Sequence, residues 1–319
     1  MKPDLNERTP MGEVAHVRSM LRNQAKARHV SVQKLAKHYV FQLFFKQLFA
    51  KADNPWVVTG GAAMVIRNQS NRFTSDIDLV KTGELNGAVT LANGSIDEDD
   101  IANLTALIAS DNDSDYAFEV TKDEEHDNKN FDPPHITHRL TVTMSLKGIK
   151  FETFPIDVSV ARFSTQSVQA IQPEKVVQGD HRLSNLPSIP LIPVEDHLAD
   201  KVCAMYETHG PSGNTPSTRV RDLIDIVFMV AGSDIVADRL HAALDREKGR
   251  RDLTIKPPFA SPDSSWKGKY EKAAKAVPGF PQECTDIAQA VTFAGKCLNP
   301  ILDQTRVQGT WSHIEQRWA

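Results

Sequence analysis

Residues 56–80 read WVVTGGAAMVIRNQSNRFTSDIDLV, and the reading of this stretch decides the fold. Trp56, Val57 and Val58 are a short apolar run, which predicts a buried strand from Trp56 to Thr59. Gly60-Gly61 predicts a sharp exit, and Ala62 to Arg67 the first turns of a helix. The N-terminus of a helix carries unpaired N–H groups and the positive end of the helix dipole. Such an end is an anion site, and glycines let a phosphate approach the backbone closely. A second strand is predicted from Asp76 to Val80. Positions i and i+2 of a strand share a face, roughly 6.5–7 Å apart along the backbone, so Asp76 and Asp78 would bite one divalent cation. Gly-Gly alone marks an ordinary turn and Asp-x-Asp alone a solvated strand end. The order strand, glycines, helix, acids carries the signal, with Arg72 and Thr74 just ahead of the acids.

Three later segments add to it. Lys150 to Val160, KFETFPIDVSV, predicts a strand with one acid, Asp157. Residues 195–205, EDHLADKVCAM, predict a helix carrying Lys201, and residues 219–225, RVRDLID, another carrying Asp222. By pattern alone Asp157 reads equally well as a strand-end acid facing water, and the helix charges as a solvated face.

In this order the segments resemble the AbiEii/AbiGii-type nucleotidyltransferase toxins of the DNA polymerase β-like superfamily. Arg72, Thr74, Asp76, Asp78 and Leu79 fill the family's Arg-x-Thr-x-Asp-x-Asp-Leu pattern. The resemblance runs from about Val14 to Ala231 and departs from the pattern at Arg221, where the family has Lys. It implies an α+β protein, a minimal nucleotidyltransferase core with N-terminal helices and a helical C-terminal region. It also implies transfer of a nucleotide from a nucleoside triphosphate, with Mg²⁺ or Mn²⁺, to the 3′ end of tRNA, which would block translation. A cognate antitoxin is then an expected partner, and DNA is not. The same core would serve nucleotidylation of a protein or small molecule, or survive as an inactive nucleotide-binding module.

The chemistry assigns roles within that resemblance. Nucleotidyl transfer is an in-line attack on phosphorus in which positioning and charge neutralisation carry the rate. Asp76 and Asp78 are the expected metal ligands, and Asp157 a third ligand or a base for the attacking hydroxyl. Gly60, Gly61, Arg72, Thr74 and Lys201 are expected to contact the nucleotide, and Asp222 to orient Lys201 or the acceptor. The Thr74 and Ser75 hydroxyls are expected to do no more than end a loop. A phosphoryl group on either would repel the triphosphate, which makes the pair a candidate off-switch for an antitoxin.

Composition fits an ordinary cytoplasmic enzyme. The chain has 319 residues, 40% hydrophobic and 24% charged, enough for a substantial core and more than one domain. The division expected is a core with N-terminal helices at 1–192 and a helical domain completing the active site at 193–319. Cys203, Cys284 and Cys297 lack paired spacing, which argues for buried thiols. No apolar stretch long enough to span a bilayer stands out, and the start, MKPDLNERTP, has no signal-peptide core. Net charge is −4, unevenly spread: residues 1–50 hold nine Lys or Arg against three acids, a local +6, which leaves −10 for the rest. Basic helices at Val14 to Arg28 and Ser31 to Ala50 would suit an RNA acceptor. The run Arg246, Lys248, Arg250 and Arg251 invites the same reading, and a plain solvated face explains either run equally well.

Elsewhere Glu84 to Asp100 reads as loop, Ile101 to Ser110 as helix, Tyr116 to Thr121 as strand and Asp123 to Pro134 as an acidic hairpin loop. Alternation predicts antiparallel strands at His138 to Met144 and Ile149 to Val158. His135 and His138 are explained as strand residues. The proline-rich Gln172 to Pro193 is the boundary candidate. Beyond it most of the chain reads as helical, with helices at Asp196 to His209, Thr218 to Ala231, Lys267 to Ala276 and Cys284 to Leu298.

Overall fold

The structure is a computed structural model that describes residues 8–51, 54–68, 73–85, 88–91, 96–110, 115–128, 135–159, 168–209 and 215–319. It opens with α1 (Pro10–Ala27) and α2 (Val32–Leu48). Thr9 starts α1 by accepting the Gly12 N–H, with Pro10 at a position whose N–H has no intrahelical partner. One stripe of α2, including Leu35, Tyr39, Leu43 and Phe44, is fully buried.

The sheet follows: β1 (Trp56–Thr59), α3 (Gly60–Asn68), β2 (Ile77–Leu85), β3 (Ala88–Leu91), α4 (Glu98–Ile108), β4 (Tyr116–Asn128), β5 (His135–Leu146), β6 (Ile149–Val158), β7 (Gln169–Ile171) and β8 (Ile189–Leu191). Its spatial order is β4-β5-β6-β2-β1-β8-β7, with β3 added to β2. The β2–β6 and β1–β8 pairs are parallel and the others antiparallel. Phe44 of α2 packs edge-on against Phe118 of β4 and Phe154 of β6, tying the N-terminal helices to the sheet face.

The remainder is α5 (Val194–Tyr206), β9 (Thr208–His209), β10 (Thr215–Pro216), α6 (Val220–Gly232), β11 (Ile235–Val236), α7 (Ala237–Arg250), α8 (Trp266–Lys275), α9 (Ile287–Leu302), β12 (Thr310–Ser312) and β13 (Arg317–Trp318). Its apolar residues form a second core, distinct from that of the sheet, which α3 joins through Met64. The three cysteines are free and buried, and burial pushes the Cys203 thiol up to about 12 and Cys284 to about 11. No helix among the described residues is long and apolar enough to cross a membrane.

The α+β class expected from the sequence is the one observed. Three local expectations are corrected. The stretch read as loop from Glu84 to Asp100 contains β3 and the first turn of α4, whose start is fixed by a reciprocal Asp97–Asp100 capping box. The region read as a hairpin loop from Asp123 begins as strand, because β4 continues to Asn128 opposite His135 of β5. The C-terminal strands β11 to β13 were not expected: at two or three residues each they are too short for period-two alternation to register.

Candidate active site

The strand order brings the expected acids together. Asp78 of β2 lies in register with Asp157 of parallel β6, and with Thr59 of β1 on its other side. In-register neighbours project to the same face, so the two carboxylates stand side by side on adjacent strands. Asp76 sits one residue before β2 begins, at the mouth of this row.

Gly60 opens α3 with φ of +58°, and a Cβ there would lie 1.9 Å from the Asp78 Oδ2. Only glycine meets both conditions. The Gly61 backbone N–H donates to the Asp78 carboxylate. The glycine pair expected to face a phosphate therefore seats the carboxylate. Gly60→Ala should lose at least ~100-fold in turnover, because a methyl must push Asp78 off its position by an ångström or more. Steady-state kinetics of the folded variant tests this.

Burial first, then the Asp76 and Asp157 charges, push the Asp78 carboxyl up to about 6; Lys201 and the Gly61 N–H pull the other way. Among the described residues no three His, Cys, Asp or Glu side chains form a ready-made metal cage. The donor set nevertheless fits Mg²⁺ or Mn²⁺. Hard cations take oxygen ligands, and Mg²⁺ usually uses one or two carboxylates beside substrate phosphates and water. The mutual repulsion at Asp78 is what such an ion would relieve.

Thr74 does more than end a loop, contrary to expectation. Its hydroxyl donates to Asp76 Oδ1 at 2.7 Å, and its N–H donates at 3.3 Å to Nε2 of His38 on α2. His38 thereby fixes the loop that carries Asp76, a contact no local pattern signals. The His38 ring also packs on Phe73, with centroids 4.5 Å apart. Ser75 is exposed, its carbonyl accepting from Lys37 Nζ at 3.4 Å. Arg72 lies outside the described residues.

Lys201 is 6% exposed, on a helix whose polar residues are nearly all buried. Its Nζ meets Asp222 Oδ1 at 2.9 Å and Asp225 Oδ2 at 3.0 Å, and Arg219 meets the other Asp222 oxygen at 2.7 Å. Burial opposes the charge, yet Asp225 and Asp222 more than offset it and hold the lysine above its ordinary range. Asp222 thus meets Lys201 directly. Asp225, one turn further along α6, joins it, a partner that the pattern did not single out. Arg221, the departure from the family pattern, is exposed.

The second basic run is ion-paired within the protein. Arg246 pairs with Asp196, Arg251 with Asp200, Glu207 and Glu247, Arg250 with Glu247 and Lys248 with Asp245. Arg246 and Arg251 fasten α7 to Asp196 and Asp200, one turn apart on the helix that carries Lys201, while Lys248 and Arg250 pair within α7 itself.

Solved structures with similar coordinates include MenT4, a nucleotidyltransferase toxin from Mycobacterium tuberculosis H37Rv, at 16% identity and a TM-score of 0.46, covering 71% of this chain and 68% of that one. JHP933 from Helicobacter pylori matches at 15% identity and a TM-score of 0.45, covering 86% and 95%. A search of curated proteins found no match. The sequence itself matches the family described as nucleotidyl transferase AbiEii toxin, type IV toxin-antitoxin system, over residues 44–293. That span takes in the glycine turn, all three aspartates, Lys201 and Asp222, and with most of the chain inside it the protein belongs to the AbiEii nucleotidyltransferase toxin family.

Proposed function

We propose that the protein transfers a nucleoside monophosphate from a nucleoside triphosphate to the 3′ end of tRNA, with Asp76, Asp78 and Asp157 at the reacting centre. The observation that carries this reading is the in-register Asp78–Asp157 pair, with the Lys201 charge acting on Asp78. Asp76 and Asp78 would hold Mg²⁺ or Mn²⁺, which when bound neutralises phosphate charge. Gly60 and Gly61 set the position of Asp78, and Thr74 that of Asp76. Asp157 would hold a further ion or accept the proton of the attacking hydroxyl. Lys201, kept protonated by Asp225 and Asp222, supplies fixed positive charge beside the phosphates, and Asp222 orients it. Arg72 is a candidate phosphate contact by its place in the motif.

The tRNA acceptor is supported by the N-terminal cations. Lys37 reaches the Ser75 carbonyl, and Lys34 lies 5.5 Å from the Phe73 ring centre, so both flank the loop leading to Asp76. Purified protein incubated with Mg²⁺, each labelled triphosphate and total tRNA should label tRNA with one or more of them, and Asp76→Ala should not. Label on protein or small molecules instead would move the acceptor to those classes. No transfer to any acceptor, with no binding of metal or nucleotide, would leave an inactive module. Affinity that depends on phosphate neutralisation falls steeply with salt. Lys34→Gln combined with Lys37→Gln should therefore raise the KM for tRNA severalfold and flatten its salt dependence, with the KM for the triphosphate unchanged. Titrating KCl in the transfer assay checks this. The cognate antitoxin would act on this same surface, and the exposed Ser75 keeps phosphorylation open as its means.

A further inference from the structure

The row of side chains across the sheet does not end at Asp157. Arg139 of β5 is the direct antiparallel partner of Asp157, and Glu124 of β4 is the direct partner of Arg139. Reading outward from the glycine turn, the sheet thus presents Asp78, Asp157, Arg139 and Glu124 on four neighbouring strands at one level. Directly opposed residues share a face and interact across strands. One cation stands between two carboxylates.

Arg139 contacts the inner one. Its Nη1 donates to both Asp157 oxygens, at 3.0 and 3.1 Å. The side chains remain 43% and 33% exposed, so the guanidinium can leave without unpacking a core. Glu124, 39% exposed, pairs with Lys122 at 2.7 Å and lies on the far side of Arg139. Asp157 is therefore neutralised by a protein cation at the position where a metal ligand is expected.

We propose that Arg139 is the resident cation of Asp157, that a divalent metal ion displaces it, and that Glu124 receives it. The inference rests on the nucleotidyltransfer reading, since it supposes that Asp157 is a metal ligand. Metal binding at this carboxylate is then an exchange of cations, and its strength is set partly by β4 and β5, outside the motif residues. Arg139 is a positioning residue, acting through Asp157.

The test is Mn²⁺ binding to the full chain without nucleotide, read as the free Mn²⁺ signal in electron paramagnetic resonance. Arg139→Gln removes the competitor and should tighten Mn²⁺ binding about 2- to 5-fold, the range of a partly exposed ion pair. Glu124→Gln removes the receiving group and should weaken it. The decisive comparison is the double variant: with Arg139 absent, Glu124→Gln should change nothing further. If Glu124→Gln weakens binding equally in both backgrounds, the effect is net charge and the inference is overturned. Unchanged affinity in Arg139→Gln overturns it as well. If wild type binds Mn²⁺ while the variants show no exchange, the nucleotidyltransfer reading stands alone; if no form binds Mn²⁺, both fall.

Discussion

Asp78→Asn is expected to melt higher than wild type in the presence of a chelator, while losing transfer by at least ~1,000-fold. The loss follows from removing the charge proposed to hold the metal, worth several kcal/mol at the transition state. The gain follows from linkage. Raised from 3.8 to about 6, the Asp78 carboxyl holds a proton in the folded protein where the unfolded chain has released it. Stability must then fall as pH rises through that window, and above it the folded state carries a penalty on the order of 2–3 kcal/mol. Asparagine removes the penalty and keeps an acceptor for the Gly61 N–H. Calorimetry without metal should show the variant several degrees more stable near neutral pH, with the gap closing as the pH approaches the ordinary carboxylate value. Equal melting temperatures at neutral pH would show that Asp78 is not under electrostatic strain. Mg²⁺ should stabilise wild type and leave the variant unchanged. In the transfer assay the same competition makes activity fall as the pH drops below about 6, because a proton then occupies the Asp78 ligand.

Lys201→Met is expected to fail in the opposite sense, losing both stability and turnover. The methionine would leave Asp222 and Asp225, both buried, without the ammonium between them. Breaking a buried pair by removing one partner costs about 3–5 kcal/mol. Because the folded lysine titrates above its ordinary value, the interaction is intact throughout the neutral range and is lost only at strongly alkaline pH. Urea unfolding of Lys201→Met should show the deficit. Adding Asp222→Asn and Asp225→Asn should recover most of it without restoring transfer. Recovery of transfer would mean that Lys201 serves packing alone.

Without the family resemblance, the residues that could be read from the sequence are those whose partners lie nearby in the chain. Strand β1, the turn at Gly60 and the Asp-x-Asp all sit within residues 56–80, and the structure has them where the pattern put them, with α3 beginning at the glycines. The side chains that flank the site could not be read this way. Arg139 meets Asp157 through a cross-strand register, and His38 reaches Thr74 from 36 residues away. Nothing local in either residue's neighbourhood encodes those contacts. The run at 246–251 has partners of both kinds. Lys248 and Arg250 pair with Asp245 and Glu247 close by, but Asp196, Asp200 and Glu207, which meet Arg246 and Arg251, lie about fifty residues earlier. The charges of α5, which by pattern alone would also suit a solvated face, are mostly buried, with Asp196 and Asp200 met by α7 and its C-cap.

The two cores meet at α3, which contributes Met64 to the helical half while its first residues seat Asp78 against the sheet. For a protein whose activity would harm the cell that makes it, this has a consequence during synthesis. The ribosome releases all three aspartates well before Lys201, and Lys201 before the α7 arginines that hold its helix in place. A nascent chain with a folded sheet would thus carry the acids and lack the lysine. Any activity that needs Lys201 would begin only after α7 has been made, leaving an antitoxin that interval of translation in which to act.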